Sequence, residues 1–308
     1  MPGRKAFIIG AIAISFAAIM WGLDGVVLTP RLYNLDVGLV VFILHLIPFL
    51  LMQLFLFREY RHLKTFRRND YILLLLIALF GGAIGTLSIA KALFLINFKE
   101  LSIVVLLQKL QPVFAILLAT LLLKERINRY FILWASVALL GGYFMTFGFK
   151  IPDVHTGSNT ALSALFALLA AFSFGSSTVF SKMILRRYSF STATFYRYGF
   201  TTVIMLSYVI ITGQLASYHE ITRSNWIIFI IIAVTTGSGA IFLYYYGLNR
   251  VKATVAVICE LFFPISTLVF DYFINGTRLS AVQWASAALM VIAIINLNRT
   301  QQAENTRS

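Results

Sequence analysis

Apolar and polar positions along this chain fall in long blocks. Ten apolar runs are separated by short polar segments, and they cover roughly 7–29, 37–57, 71–96, 101–123, 130–148, 160–184, 191–213, 226–247, 253–274 and 280–297. A helix of about twenty apolar residues crosses the ~30 Å hydrocarbon layer. Within that layer the backbone must bond to itself, which helices do without a partner strand. The pattern therefore predicts an all-α integral membrane protein with ten transmembrane helices. The first run follows Arg4 and Lys5, as the apolar core of a signal peptide would. It is too long for such a core, and the "VVLTPRLYN" that follows offers no small-residue cleavage site, so it reads as a span.

Composition agrees with this reading. The chain is 60% hydrophobic and 12% charged, where soluble domains carry about a quarter charged residues. A single cysteine, Cys259, excludes an internal disulfide and a multi-cysteine metal site. The net charge of +14 would suit a nucleic-acid binder if position were ignored. With the N-terminus in the cytoplasm, sixteen of the 25 Lys and Arg fall in inside segments, five in outside segments and four within spans. That bias sets orientation, with both termini cytoplasmic and no nucleic-acid partner.

The two halves resemble one another. "WASVAL" (Trp134 to Leu139) in the fifth run matches "WASAAL" (Trp284 to Leu289) in the tenth. Pro112 in the fourth matches Pro264 in the ninth, Trp21-Gly22 in the first matches Phe174-Gly175 in the sixth, and Gly85 in the third matches Gly239 in the eighth. The offsets run from 150 to 154 in a shared order. A repeat of five spans must enter the membrane upside down in its second copy, which predicts two inverted five-helix repeats. Such repeats suit secondary transporters, because exchanging the conformations of the halves opens one central site to either side. The expected units are 1–150, 151–298 and a cytoplasmic tail, 299–308.

On these residues the chain resembles the EamA-type transporters of the drug/metabolite transporter superfamily. The resemblance covers about residues 7 to 297 and rests on the ten spans in two halves, on Trp21-Gly22, and above all on "QPVFAILLATLLLKERI" ending the fourth span. The "ELFFP" of the ninth looks like its counterpart, but Thr277 stands where the first copy has Glu125, so that loop carboxylate is expected to act in one half only. The resemblance implies export or exchange of small metabolites, such as amino acids or their relatives, across a bacterial inner membrane. It implies no ATP hydrolysis and no cofactor.

Polar residues inside the spans mark the candidate cavity, because a charge near mid-membrane costs at least ~2.5–3.5 kcal/mol and turns inward. Glu260, Thr267 and Asp271 share a face of the ninth span beside Pro264, and Gln108, Gln111 and Pro112 share one in the fourth. Depth pairs Asp24 with Lys109 or Lys91 on the outer side, and Glu260 with Arg197 on the inner side. Each pair could line the cavity or simply tie helices together. His45 precedes Pro48 in the second span, with no second ligand at metal spacing, and Lys182 is expected to snorkel. Trp21 and the "YYY" run, Tyr244 to Tyr246, could form an aromatic wall. At least two of the three tyrosines are assigned instead to the interfacial belt, leaving Tyr245 for the cavity. Gly81, Gly85 and Ser88, the Thr235–Gly239 cluster, and Ser173, Ser177 and Ser181 give small faces for close helix contact. The function expected is a secondary transporter of a small molecule, driven by protons or by exchange and working as a monomer or homodimer. An intramembrane enzyme on a lipid-linked substrate is the rival, but no His-Glu-x-x-His or aspartate pair is present to serve it.

Overall fold

The computed structural model describes residues 3–95, 104, 107–149, 158–276 and 278–305, and all the regular structure among them is helical. Eight helices are long and apolar enough to cross a membrane: Arg4–Leu32, Val37–Lys64, Arg68–Leu93, Arg129–Phe147, Ala161–Ile184, Arg223–Leu248, Ala253–Asn275 and Ala281–Thr300. Phe190–Ile211 joins them as the seventh span and runs into a short helix, Gln214–Glu220, bent away by 93°. The fourth span is represented by the shorter apolar helix Gln111–Leu122. Much of its expected first half lies outside the described residues, as do Lys99, Lys150 and Thr277. Each apolar run of the sequence thus has its helix. The tenth continues to Asn305, into the stretch expected to be tail.

Local chemistry sets the helix ends. The Asn128 side chain accepts the Phe131 N–H at 2.6 Å to start the fifth span, and Ser189 accepts from Thr192 at 3.1 Å to start the seventh. Gly148 and Gly276 end the fifth and ninth at φ of 59° and 69°, a region that costs a glycine nothing. The ninth span is started from the other half of the molecule. Lys124 takes φ 55°, turning the chain after the fourth span. Glu125 then accepts the N–H groups of Ala253 and Thr254 at 2.8 and 3.0 Å and the Thr254 hydroxyl at 2.8 Å. That carboxylate satisfies two of the N–H groups every helix start leaves open.

Contacts between the halves are reciprocal. Gly22 of the first span lies against the ninth, where an added Cβ would meet Ser266 and would stand 2.9 Å from the Thr267 nitrogen. Its counterpart Gly175 in the sixth span lies against the fourth, with the Gln111 carbonyl and the Ala115 nitrogen 2.9 and 3.0 Å from such an atom. The fifth and tenth spans pack on each other, with Gly141 against Met290. The third and eighth spans each carry a π turn, Ala78–Ile84 and Ala233–Gly237. Both then begin with a side chain three residues in that bridges halves. Asp70 accepts from Arg187 and from the Tyr188 hydroxyl, each at 2.9 Å, while Asn225 donates to the Arg31 carbonyl and to Asn34 at 3.2 and 3.1 Å. Contacts of one copy on the other, repeated in reverse, are what a pseudo-twofold relation requires.

Adding a methyl group at either crossing should overpack it by ~1–3 kcal/mol. Gly22→Ala and Gly175→Ala are therefore expected to lower the melting temperature of the detergent-solubilised protein. Gly25→Ala, with nothing within 4 Å of the new atom, should leave it unchanged. Equal melting of all three variants would contradict the crossings.

Candidate functional site

Proline builds the centre of the molecule. Pro264 has no N–H and its ring crowds the carbonyl four residues earlier, that of Glu260. The ninth span accordingly stops at Cys259, turns through Glu260 and Leu261, and restarts at Phe262. The Glu260 carbonyl is taken instead by the Phe263 N–H at 2.9 Å. In the fourth span Pro112 does the same to Gln108, and a turn at Lys109–Leu110 precedes the helix that starts at Gln111. The two breaks meet. Gln111 Nε2 donates to Glu260 Oε2 at 2.6 Å, and the Tyr244 hydroxyl donates to Oε1 at 2.6 Å. Thr178 of the sixth span is 2.8 Å from the Tyr244 oxygen, and the Trp21 ring lies 5.4 Å from the Tyr244 ring. Glu260, the most pointed signal in the sequence, is held by residues of both halves.

Arg197 does not pair with it. Its NH1 donates to the Tyr245 hydroxyl at 3.1 Å and its NH2 to the Gly81 carbonyl at 3.0 Å, with Ser181 2.7 Å from the same hydroxyl. Successive residues on a helix point about 100° apart, so Tyr244 serves the carboxylate and Tyr245 the guanidinium. Their rings, 5.8 Å apart, stand between the expected ion-pair partners. Both tyrosines are buried, so the interfacial belt keeps only Tyr246, against which Arg250 stacks at 3.4 Å. Arg197 Nε is a buried donor with no hydrogen-bond partner among the described residues.

The outer pair is also replaced. Asp24 accepts from the hydroxyls of Thr29 at 2.9 Å and Thr236 at 3.1 Å. Lys109 reaches the fifth span instead and donates to the Gly142 carbonyl and the Thr146 hydroxyl. Lys91 is exposed and lies 5.8 and 5.9 Å from the rings of Tyr208 and Phe166. Gln108 is half-buried, one residue before the break. His45 Nδ1 bonds the Val41 carbonyl at 2.8 Å and the ring packs on Tyr198, as a structural histidine would. Lys182, expected to snorkel, donates to the Leu248 carbonyl at 2.7 Å. Among the described residues no three His, Cys, Asp or Glu converge as metal ligands. A groove of about 300 Å³ between the second and eighth spans is lined by apolar side chains such as Pro48, Phe55 and Phe242, and holds none of the charged groups.

The EamA-like transporter family model matches twice, at residues 8–147 and 161–299. The chain belongs to this family. A riboflavin transporter, ImpX of Fusobacterium nucleatum subsp. nucleatum, is 54% identical over 291 residues, covering 94% of this chain and 97% of that protein. A solved crystal structure of a protein 17% identical superposes with a TM-score of 0.71, covering 98% of this chain and 99% of the other, and shows the same fold. The chain is thus a multi-pass membrane transporter for a small molecule and not an enzyme.

The polar centre made by the two broken helices joins the halves through side-chain hydrogen bonds. Thr178 belongs to this centre and was not among the sequence candidates. Tyr244 was assigned to the belt and Ser181 to a packing face, although the four-residue spacing of Ser173, Ser177 and Ser181 marked the face that Tyr245 meets. The geometry sets two expectations for thermal unfolding. Gln111→Leu and Glu260→Gln should be non-additive, because each removes the same charge-assisted bond, worth about 1.5–3 kcal/mol. Asp24→Asn and Lys109→Gln should add, since the two side chains share no partner.

Proposed function

We propose that the chain carries riboflavin, or a flat heteroaromatic molecule like it, by alternating access between its halves at the Glu260 centre. The observation that carries this reading is the hydrogen bond from Gln111 to Glu260, which joins the two broken helices beside the Trp21–Tyr244 aromatic pair. A ring system with donors and acceptors on its edge can lie on the aromatic side chains while Glu260, Gln111 and Arg197 exchange bonds with that edge. The near-full-length likeness to ImpX supports the same substrate. Amino acids, the class expected from the sequence, would use the same carboxylate and guanidinium as a zwitterion site.

Further parts of the reading concern the setting. The repeats run 1–150 and 151–298, close to the two family matches. Both termini face the cytoplasm of a bacterial inner membrane, and one chain suffices because it contains its own pseudo-twofold. Glu260 takes up the coupling proton when its bonds to Gln111 and Tyr244 open.

Purified protein in liposomes loaded with riboflavin should exchange it for labelled riboflavin outside, and amino acids should not compete. Competition by amino acids with no riboflavin exchange would favour the second substrate class. Glu260→Gln should keep exchange but lose accumulation driven by a pH gradient; wild-type accumulation in this variant from pH 5.5 to 8 would remove the proton role. In a Cys259→Ser background, a cysteine at Tyr218 should react with an impermeant reagent outside cells and one at Thr65 should not. The reverse pattern would overturn the orientation.

A further inference from the structure

Asp24 is an intramembrane carboxylate whose charge the mechanism above leaves unused. It begins a π turn, Asp24–Leu28, in the first span, and its Oδ1 meets Thr236 inside the π turn Ala233–Gly237 of the eighth. The π turns of two different halves therefore face each other across this carboxylate. Such turns interrupt the i→i−4 ladder and occur often at functional sites. Here the Ala233 carbonyl is bonded five residues on, by the Ser238 N–H and also by Ser238 Oγ at 2.5 Å. Among the described residues no Lys, Arg or His lies within ion-pair distance of Asp24.

The repeat supplies the comparison that gives this meaning. At an offset of 153 the counterpart of Asp24 is Ser177, which packs on Gly81 in the π turn of the third span. At that crossing the protein brings its own cation: Arg197 donates to the Gly81 carbonyl at 3.0 Å. The residue aligned with Gly81 is Thr235, at an offset of 154, beside Thr236. The stretch of the second span aligned with Arg197 is Ile43 to His45, and His45 Nδ1 is already engaged by Val41. Among the described residues one crossing thus has a guanidinium and no carboxylate, and its mirror image has a carboxylate and no cation.

We infer that the Asp24 crossing binds a sodium ion, held by the Asp24 carboxylate and the Thr29 and Thr236 hydroxyls. The donors are all oxygens, which select hard cations over transition metals. The ion would fill the place that the Arg197 guanidinium fills in the other half. Because Thr236 belongs to the second half and Asp24 to the first, binding would favour the arrangement in which these two spans touch.

The test needs no transported substrate. Purified full-length protein is melted in NaCl, KCl and choline chloride of equal ionic strength, with labelled sodium binding measured in parallel. Sodium should raise the melting temperature saturably over both other salts. Glu260→Gln should keep the whole effect and Asp24→Asn should lose it. Thr236→Val, which keeps the shape and removes one ligand, should raise the half-saturating sodium concentration several-fold, and it decides the matter if Asp24→Asn does not fold. Equal melting in all three salts, an unchanged sodium response in Thr236→Val, or stabilisation that follows pH and ignores sodium would each overturn the assignment.

Discussion

A carboxylate inside hydrocarbon must be solvated by the protein itself, and most of this architecture can be traced to how Glu260 meets that demand. Water would satisfy its two oxygens at no structural cost, but here each oxygen takes a donor from a different helix, Gln111 and Tyr244. Gln111 arrives only because Pro112 stops the fourth span and lets the chain restart there. Glu260 itself sits in the matching break before Pro264. Tyr244 in turn draws in Thr178 from the sixth span. Four spans are thereby fixed around one side chain, and a partly satisfied network of this kind would be worse than an apolar core.

What surrounds that centre is built for close approach. Gly22 and Gly175 let the first and sixth spans cross the broken helices at backbone distance. In lipid no hydrophobic force presses helices together, so such contacts rest on dispersion between small residues and on a few hydrogen bonds. Contacts of this kind slide at low cost, in contrast to interlocked large side chains. The centre is therefore rigidly bonded, while the crossings next to it are smooth.

The fold was largely legible in the sequence because the bilayer imposes a length and a polarity on every span. The repeat was legible because prolines and glycines at near-constant offset mark backbone events, and the structure gives two of these matches a matching role: Pro112 with Pro264 as breaks, Gly22 with Gly175 as crossings. Side-chain partnerships were legible only in part. Depth along the membrane paired Glu260 with Arg197, yet it carries no rotational information, and the tyrosines that each of them bonds instead could not be seen. The same limit produced the Asp24–Lys109 pairing, which a 3.1 Å bond to Thr236 replaces. Tyr244 was read as interfacial by position and is claimed by a buried carboxylate.

The bond that Glu125 makes to the start of the ninth span bears on the ancestry of the molecule. Its carboxylate closes a helix that belongs to the other copy, and the corresponding residue of that copy is Thr277, which has no carboxylate to return the favour. The two repeats have therefore ceased to be interchangeable parts. A tandem of two first halves would carry a carboxylate for both helix starts, a tandem of two second halves for neither, and only the mixed order found here matches one donor loop to one receiving helix. The difference at this one loop position makes the second half dependent on the first for the start of its ninth-span helix.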